Sequence, residues 1–443
     1  MPKRRLVVSA TTASVVGLII SLAGLAMLLI LRSNSVSNKF IILLFIFESL
    51  IWLNSDRRIT PNILFTIGWY LPAIISFIPL RNLIYSERPL QYEAMFGILL
   101  VSAMFYVVSI IMLILMRPID FYNRTLLFKK SQCPLSIIVG LFILSNIGFG
   151  IAALSVRFSF PLFQVNITRT AFEYFRIQGS GSLFSMGLIA SLLLLLRAIK
   201  NGRESILKRV RGLKLFAYVL FSLYVVELIL VGKRMGIILL IISSVAAFGR
   251  IYGVRKRTIA YVIIVVATVV VGNGFLRGRF GFSQYWEGKS FNGIQSTAAF
   301  SVIQPVLYTR GAFQSLGELI NDSGIYGHGT LYTFSNSDGA YLKNADDLFS
   351  KMAIKAQMTT AFGAPAFDFG ICGIVLWSIV IFTPLWFLYF RSASACMSAF
   401  CAIYAASCAL LWTGNFLSNP TLYYSLFVLI AINLVVSPIS ARS

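Results

Sequence analysis

Charge is scarce in this chain: only 12% of its 443 residues are Asp, Glu, Lys or Arg, about half the share carried by soluble globular domains. Acidic residues are scarcer still, 15 against 38 basic ones, and there is one histidine. That composition excludes an ordinary soluble core wrapped in a charged surface. The five cysteines are Cys133, Cys372, Cys396, Cys401 and Cys408. They include no ligand-like pair, which argues against a disulfide framework or a zinc site and leaves them as small hydrophobes. No internal repeat and no low-complexity linker interrupts the chain.

What is present is apolar. Hydrophobic residues make up 58%, with 37 Phe and 19 Tyr, a composition suited to helices whose faces meet lipid and whose backbones satisfy themselves. The net charge of +23 sits in short runs between apolar spans rather than along one groove-filling face, so no nucleic-acid partner is expected. The first apolar run, 7–31, follows Met1-Pro2-Lys3-Arg4-Arg5. It is far longer than a signal-peptide core and no small-residue cleavage site follows, so it reads as a retained helix.

A spanning helix needs about 20 largely apolar residues. By that measure the expected spans are 7–31, 39–53, 62–80, 94–116, 135–155, 182–196, 215–232, 235–249, 258–275, 371–390, 394–413 and 421–438, a polytopic all-α bundle of about twelve. With the N-terminus cytoplasmic, more than half of the 38 basic residues fall on the cytoplasmic side, against only Asp56, Asp120 and Glu204. The richest cytoplasmic segment is 197–214, with Arg197, Lys200, Arg203, Lys208, Arg209, Arg211 and Lys214. This alternation predicts that both termini are cytoplasmic and assigns those cations a topogenic role, with contacts to anionic membrane lipids. The expected organisation is a membrane bundle over 1–275 with a mid-chain outer loop at 156–181, a large outer loop over 276–370, and three closing spans over 371–443.

Basic residues on the outer side have no topogenic reason to be there and carry more information. Lys233 and Arg234, within Gly232-Lys233-Arg234-Met235-Gly236, separate two apolar runs and imply a tight hairpin or broken helix. Glu227 lies seven residues before Arg234, which on one continuous helix would place both on the same face. Arg277-Gly278-Arg279 follows the ninth span and makes a plausible anion clamp, because a guanidinium grips phosphate oxygens bidentately. In the late outer loop, Phe313, Leu316, Leu319 and Ile320 recur at helical spacing, as in a helix lying in the interface or capping the bundle. After it come Tyr326 and the sole histidine, His328, set between Gly327 and Gly329. Glu48 and Glu227 are the carboxylates inside spans, with Asp368 at the start of the tenth.

These features together resemble the bacterial oligosaccharide repeat-unit polymerases, the Wzy-type polymerases of O-antigen, capsule and enterobacterial common antigen. The likeness rests on span count, the outer segment 156–181, the large late outer loop, and three local echoes in order: Gly232-Lys233-Arg234-Met235-Gly236, Arg277-Gly278-Arg279 and Phe367-Asp368-Phe369-Gly370-Ile371-Cys372-Gly373. It implies a GT-C-like, all-helical glycosyltransferase of the bacterial inner membrane, working at the periplasmic face without metal or other cofactor. It would transfer a growing glycan from undecaprenyl diphosphate to an incoming lipid-linked repeat unit. On this resemblance Arg234, Arg277 and Arg279 bind the diphosphate, supported by Lys233 and Arg310, and His328 or a loop aspartate serves the acceptor hydroxyl. Arg157, Arg169 and Arg176 guide lipid head groups or glycan, and Tyr326 and Tyr332 stack on sugar rings. An O-antigen ligase, with the same donor chemistry, and a lipid-linked oligosaccharide flippase are the alternatives. The residues leave open whether a chain-length regulator protein binds alongside.

Overall fold

The computed structural model describes residues 2–54, 58–78, 92–116, 133–161, 180–200, 212–231, 234–254, 297–321, 360–392, 394–413 and 420–441, with scattered positions in 174–179 and 258–272. Among them there is no strand. The helices are α1 (Pro2–Leu31), α2 (Asn34–Asn54), α3 (Pro61–Ser76), α4 (Tyr92–Leu115), α5 (Leu135–Ser155), α6 (Ser180–Lys200), α7 (Gly212–Leu230), α8 (Arg234–Tyr252), α9 (Thr297–Asn321), α10 (Gly363–Arg391), α11 (Ala395–Cys408) and α12 (Pro420–Ala441).

Seven of these helices contain stretches long and apolar enough to cross a bilayer, and shorter apolar helices occupy Pro61–Ser76, Gly236–Ile251, Ala395–Cys408 and Tyr423–Val435. The chain is a helical, multi-pass membrane protein. Half of the expected span 258–275 lies outside the described residues. Large apolar side chains such as Ile30, Ile114, Leu376 and Phe427 are exposed on helix surfaces, where acyl chains rather than water are the matching solvent. Buried serines along these helices return their hydroxyls to backbone carbonyls four residues earlier, as Ser21, Ser102, Ser109, Ser191 and Ser378 do, so these hydroxyls do not meet hydrocarbon unpaired.

The chain forms two compact units. Unit 1 is Met1–Pro118, Ile303–Arg391 and Ser407–Asn419; unit 2 is Ile119–Val302, Ser392–Ala406 and Pro420–Ser443. In unit 1, α4 packs against α1 and α10, and α1 packs against α2. An aromatic core joins α3, α4, α9 and α10. Phe65 stacks on Phe105 at 4.1 Å, Phe382 meets both edge-on, and Trp69 takes Phe313 and Phe362 edge-on at 5.1 and 5.4 Å. Edge-on and offset pairs suit the ring quadrupole and contribute about 0.5–1.5 kcal/mol each beyond their burial. α3 is interrupted by a π-turn over Thr66–Tyr70, and at Gly68 the backbone approaches Ala409 so closely that a Cβ would sit 2.4 Å from the Ala409 Cα.

In unit 2, α5 and α6 form the closest pair, with α7 against α5 and α8 and α12 against α6. Small residues set the spacing, as expected where lipid offers no hydrophobic drive between helices. A Cβ at Gly148 would meet the Phe184 amide nitrogen at 2.6 Å, and one at Gly187 would meet the Tyr224 ring at 2.4 Å. The Ser145 hydroxyl donates across this contact to the Phe184 carbonyl at 2.8 Å.

Candidate functional site

Most of the outer cations and loop residues singled out from the sequence lie outside the described residues: Lys233, Arg169, Arg176, Arg277, Arg279, Tyr326, His328 and Tyr332. Arg234 opens α8, and α7 ends at Leu230. Glu227 and Arg234 therefore sit on two different helices, and the same-face relation expected from their spacing does not hold, because the chain turns at Val231.

Arg157 is exposed and has φ 53°, followed by Phe158 at φ 59°. Two successive non-glycine residues in the left-handed region are strained. Here they end α5, with the Phe158 N–H donating to the Ala153 carbonyl at 2.7 Å. The reversal lets Phe160 stack on Phe149, centroids 5.9 Å apart and planes within 6°.

Arg310 is placed by α9. The apolar spacing predicted for that helix is realised: Phe313 and Leu316 are fully buried and Leu319 nearly so, with Gly317 against Ala94 and Gly97 against Leu316. The helix is embedded in unit 1 rather than laid on it, since Gln314 and Ser315 on its other faces are buried too. Arg310 is 8% exposed, and its Nη1 donates to the Ile78 carbonyl at 3.5 Å.

The third echo, Phe367 to Gly373, lies in α10. Gly370 has φ 57° and ψ −138°, a conformation open essentially to glycine alone. At Gly373 a Cβ would collide with the Pro365 carbonyl oxygen. The two glycines thus kink the helix where it enters the span Phe369–Arg391, and both are required by the backbone.

The sequence alone identified Glu48 and Glu227 as carboxylates inside spans, and the structure supplies their surroundings. Glu48, 3% exposed on α2, takes the Asn62 side-chain amide of α3 at 3.3 Å and is also hydrogen-bonded to the Tyr106 hydroxyl of α4. Tyr106 in turn accepts from the Tyr70 hydroxyl of the π-turn at 3.2 Å. A chain of hydroxyls ending on a carboxylate thus crosses α2, α3 and α4 in unit 1. Gly17 of α1 makes room for it: a Cβ there would fall 2.3 Å from the Tyr106 ring.

Glu227, 3% exposed near the end of α7, has an Oε2 that no group among the described residues donates to. Tyr224 precedes it by three residues on the same helical face. Burial first, and the Glu227 carboxylate second, push the Tyr174 hydroxyl above its usual range, which places the carboxylate near that ring. Tyr174, Val231, Ala152 and Ala153 form a buried cluster capped by Phe149, Val156 and Phe160.

Arg197, expected to act as a topogenic charge, and Arg250 both have structural partners. The Arg197 guanidinium donates to the Cys133 carbonyl and that of Arg250 to the Ser392 carbonyl, each at 2.6 Å. Among the described residues no group of three or more His, Cys, Asp or Glu side chains is placed to hold a metal ion. No protein-family model, curated protein or solved structure matches the chain.

Proposed function

We propose that this protein is a membrane-embedded glycosyltransferase that polymerises lipid-diphosphate-linked oligosaccharide repeat units at the outer face of a bacterial inner membrane. The observation that carries the reading is Arg310. A guanidinium inside a helical membrane protein is kept only where partners hold it, and such residues mark functional sites; that of Arg310 donates to the Ile78 carbonyl. This one sits on the helix embedded from the late loop segment, beside the buried Thr309, Gln314 and Ser315. The kink at Gly370 adds a backbone requirement to a motif shared by resemblance with those polymerases.

The chemistry asked of the residues is limited. An acceptor hydroxyl attacks the anomeric carbon of the donor glycan, the bond from that carbon to the lipid diphosphate breaks, and the hydroxyl proton passes to a base. Charge develops on the departing diphosphate, and preorganised guanidinium donors stabilise it; removing one such donor raises a barrier by about 2.7–4 kcal/mol. Arg277, Arg279 and Arg234 are proposed for that role with Arg310 and Lys233 in support, and His328 for the proton.

Purified protein mixed with undecaprenyl-diphosphate-linked repeat units should yield a ladder of glycan lengths. The ladder should vanish when Arg277 and Arg279 are both changed to Ala; a ladder that persists in the double variant overturns the assignment. A second reading, a lipid-linked oligosaccharide flippase, is favoured by the buried chain of Glu48, Tyr106 and Tyr70, since intramembrane acids mark transport pathways. Movement of the lipid across vesicles without any ladder would select it.

A further inference from the structure

Glu227 is held in unit 2 at a stability cost that packing does not explain. A buried carboxylate oxygen with no donor costs several kcal/mol unless a partner arrives. Its own helix offers none, because its C-terminal end leaves carbonyls rather than N–H groups free, and the N–H of Val231 donates to the Glu227 backbone carbonyl at 3.0 Å. Ionised, the carboxylate can only accept, so whatever satisfies Oε2 must bring O–H or N–H donors.

The surroundings narrow the class of donor. Phe149 and Phe160 stack in parallel, and Tyr174 lies 5.9 Å from Phe149 and 6.4 Å from Phe160. Phe160 reaches this position only through the strained turn at Arg157 and Phe158, and strain kept in two successive non-glycine residues points to a local requirement. Aromatic faces beside one hydrogen-bond acceptor complement a molecule with a C–H face and a hydroxyl edge. That is the surface of a pyranose ring.

We infer that Glu227, one helical turn before Val231 in the Tyr174 cluster that Phe149 and Phe160 pack against, is a sugar-recognition site in which the carboxylate accepts hydrogen bonds from ring hydroxyls. The inference deepens the polymerase reading and rests on it for the identity of the ligand, the glycan of a lipid-linked repeat unit. Glu227 is a binding residue here, distinct from the arginines proposed to stabilise the diphosphate.

The test uses the full chain in nanodiscs and saturation-transfer NMR with free N-acetylglucosamine, galactose and rhamnose, and with tetramethylammonium as a cation control. At least one sugar should bind, and Glu227→Gln should weaken it about 10-fold or more, the worth of a hydrogen bond to a charged group. Phe160→Ala should weaken the same sugar, and it carries the test should Glu227→Gln fail to fold. Sugar binding unchanged in both variants overturns the inference, as does a response to tetramethylammonium alone. The ladder assay runs in parallel. A ladder without sugar binding sinks this site and spares the polymerase reading, whereas Glu227-dependent sugar binding with no ladder supports the site and sinks that reading.

Discussion

The indole N–H of Trp386 donates to the hydroxyl oxygen of Ser109 at 2.8 Å, across 277 residues of sequence. Ser109 in turn donates to the Phe105 carbonyl at 2.7 Å, so one small side chain satisfies both an aromatic donor of α10 and a backbone carbonyl of α4.

Ser109→Ala should therefore destabilise unit 1. Interhelical hydrogen bonds in membranes average only about 0.6 kcal/mol, but Trp386 is 1% exposed, and an orphaned buried donor costs about 1–3 kcal/mol. The larger effect should win. Ser378→Ala is the control, since that hydroxyl reaches only its own helix at Ile374 and its loss should be nearly neutral. Thermal unfolding in detergent reads both, and equal midpoints for the two variants would contradict the account.

Glycines should divide sharply by their neighbours. Gly17→Ala places a methyl 2.3 Å from the Tyr106 ring, forcing a fully buried tyrosine off Glu48, and should cost about 1–3 kcal/mol as overpacking does. Gly140→Ala meets nothing within 4 Å and should be neutral or stabilise α5 by up to about 1 kcal/mol through helix propensity. Protease resistance of the two variants in membranes gives the comparison.

At Gly370 the limit is the backbone, not the space around it. With φ at 57° and ψ at −138°, Gly370→Ala should cost about 1–3 kcal/mol and straighten the entry to the span. Loss of folded protein at growth temperature, restored on cooling, is the expected signature; wild-type stability would show that the kink is dispensable.

Thiol reactivity should report burial directly. Burial, with the nearby Cys396 adding and Arg197 opposing, pushes the Cys133 thiol up to about 12. The thiolate is the reactive form, so Cys133 should resist maleimide at pH 7–9 in the folded protein, and its folded state should lose stability as pH rises above about 9, where the unfolded thiol ionises first. Cys372 is exposed while Cys396, Cys401 and Cys408 are buried, so a membrane-permeant maleimide should label Cys372 first. Mass spectrometry of the labelled peptides decides the order.

Replacing the unpartnered acid should separate binding from folding. Glu227→Gln replaces a buried carboxyl whose Oε2 accepts from no group among the described residues, and exchanging such a group for a neutral one is neutral or stabilising, by up to a few kcal/mol. Its unfolding midpoint should equal or exceed that of the wild type. A clearly lower midpoint would mean that the carboxylate has a structural partner.

Much of the helical plan was legible from composition and spacing. The bilayer demands about 20 apolar residues per crossing, and such runs at 7–31, 94–116 and 135–155 appear as α1, α4 and α5 with boundaries moved by a few residues. The shorter runs were under-read: 39–53, 182–196 and 235–249 became α2, α6 and α8, each longer than its apolar stretch. Ser, Asn and Lys at their ends look like loop chemistry, yet buried helix-end polar groups such as the Ser37 and Ser180 hydroxyls bond to backbone carbonyls. The break between Glu227 and Arg234 was anticipated as a tight hairpin or a broken helix, but a spacing rule that presumes one helix cannot survive it.

By itself the sequence determined that this chain is helical and membrane-bound, because lipid leaves a backbone few other solutions, and it marked Glu48 and Glu227 as acids out of place. Only the tertiary structure decided what surrounds them. Asn62, Tyr70 and Tyr106 reach Glu48 from α3 and α4, while Tyr174 approaches Glu227 from a segment more than fifty residues earlier in the chain. Periodicity specifies which face of a helix is apolar; it holds no record of which neighbour that face will meet. A hydrogen bond between helices depends on that choice of neighbour, and so do the partnered acid in unit 1 and the unpartnered one in unit 2.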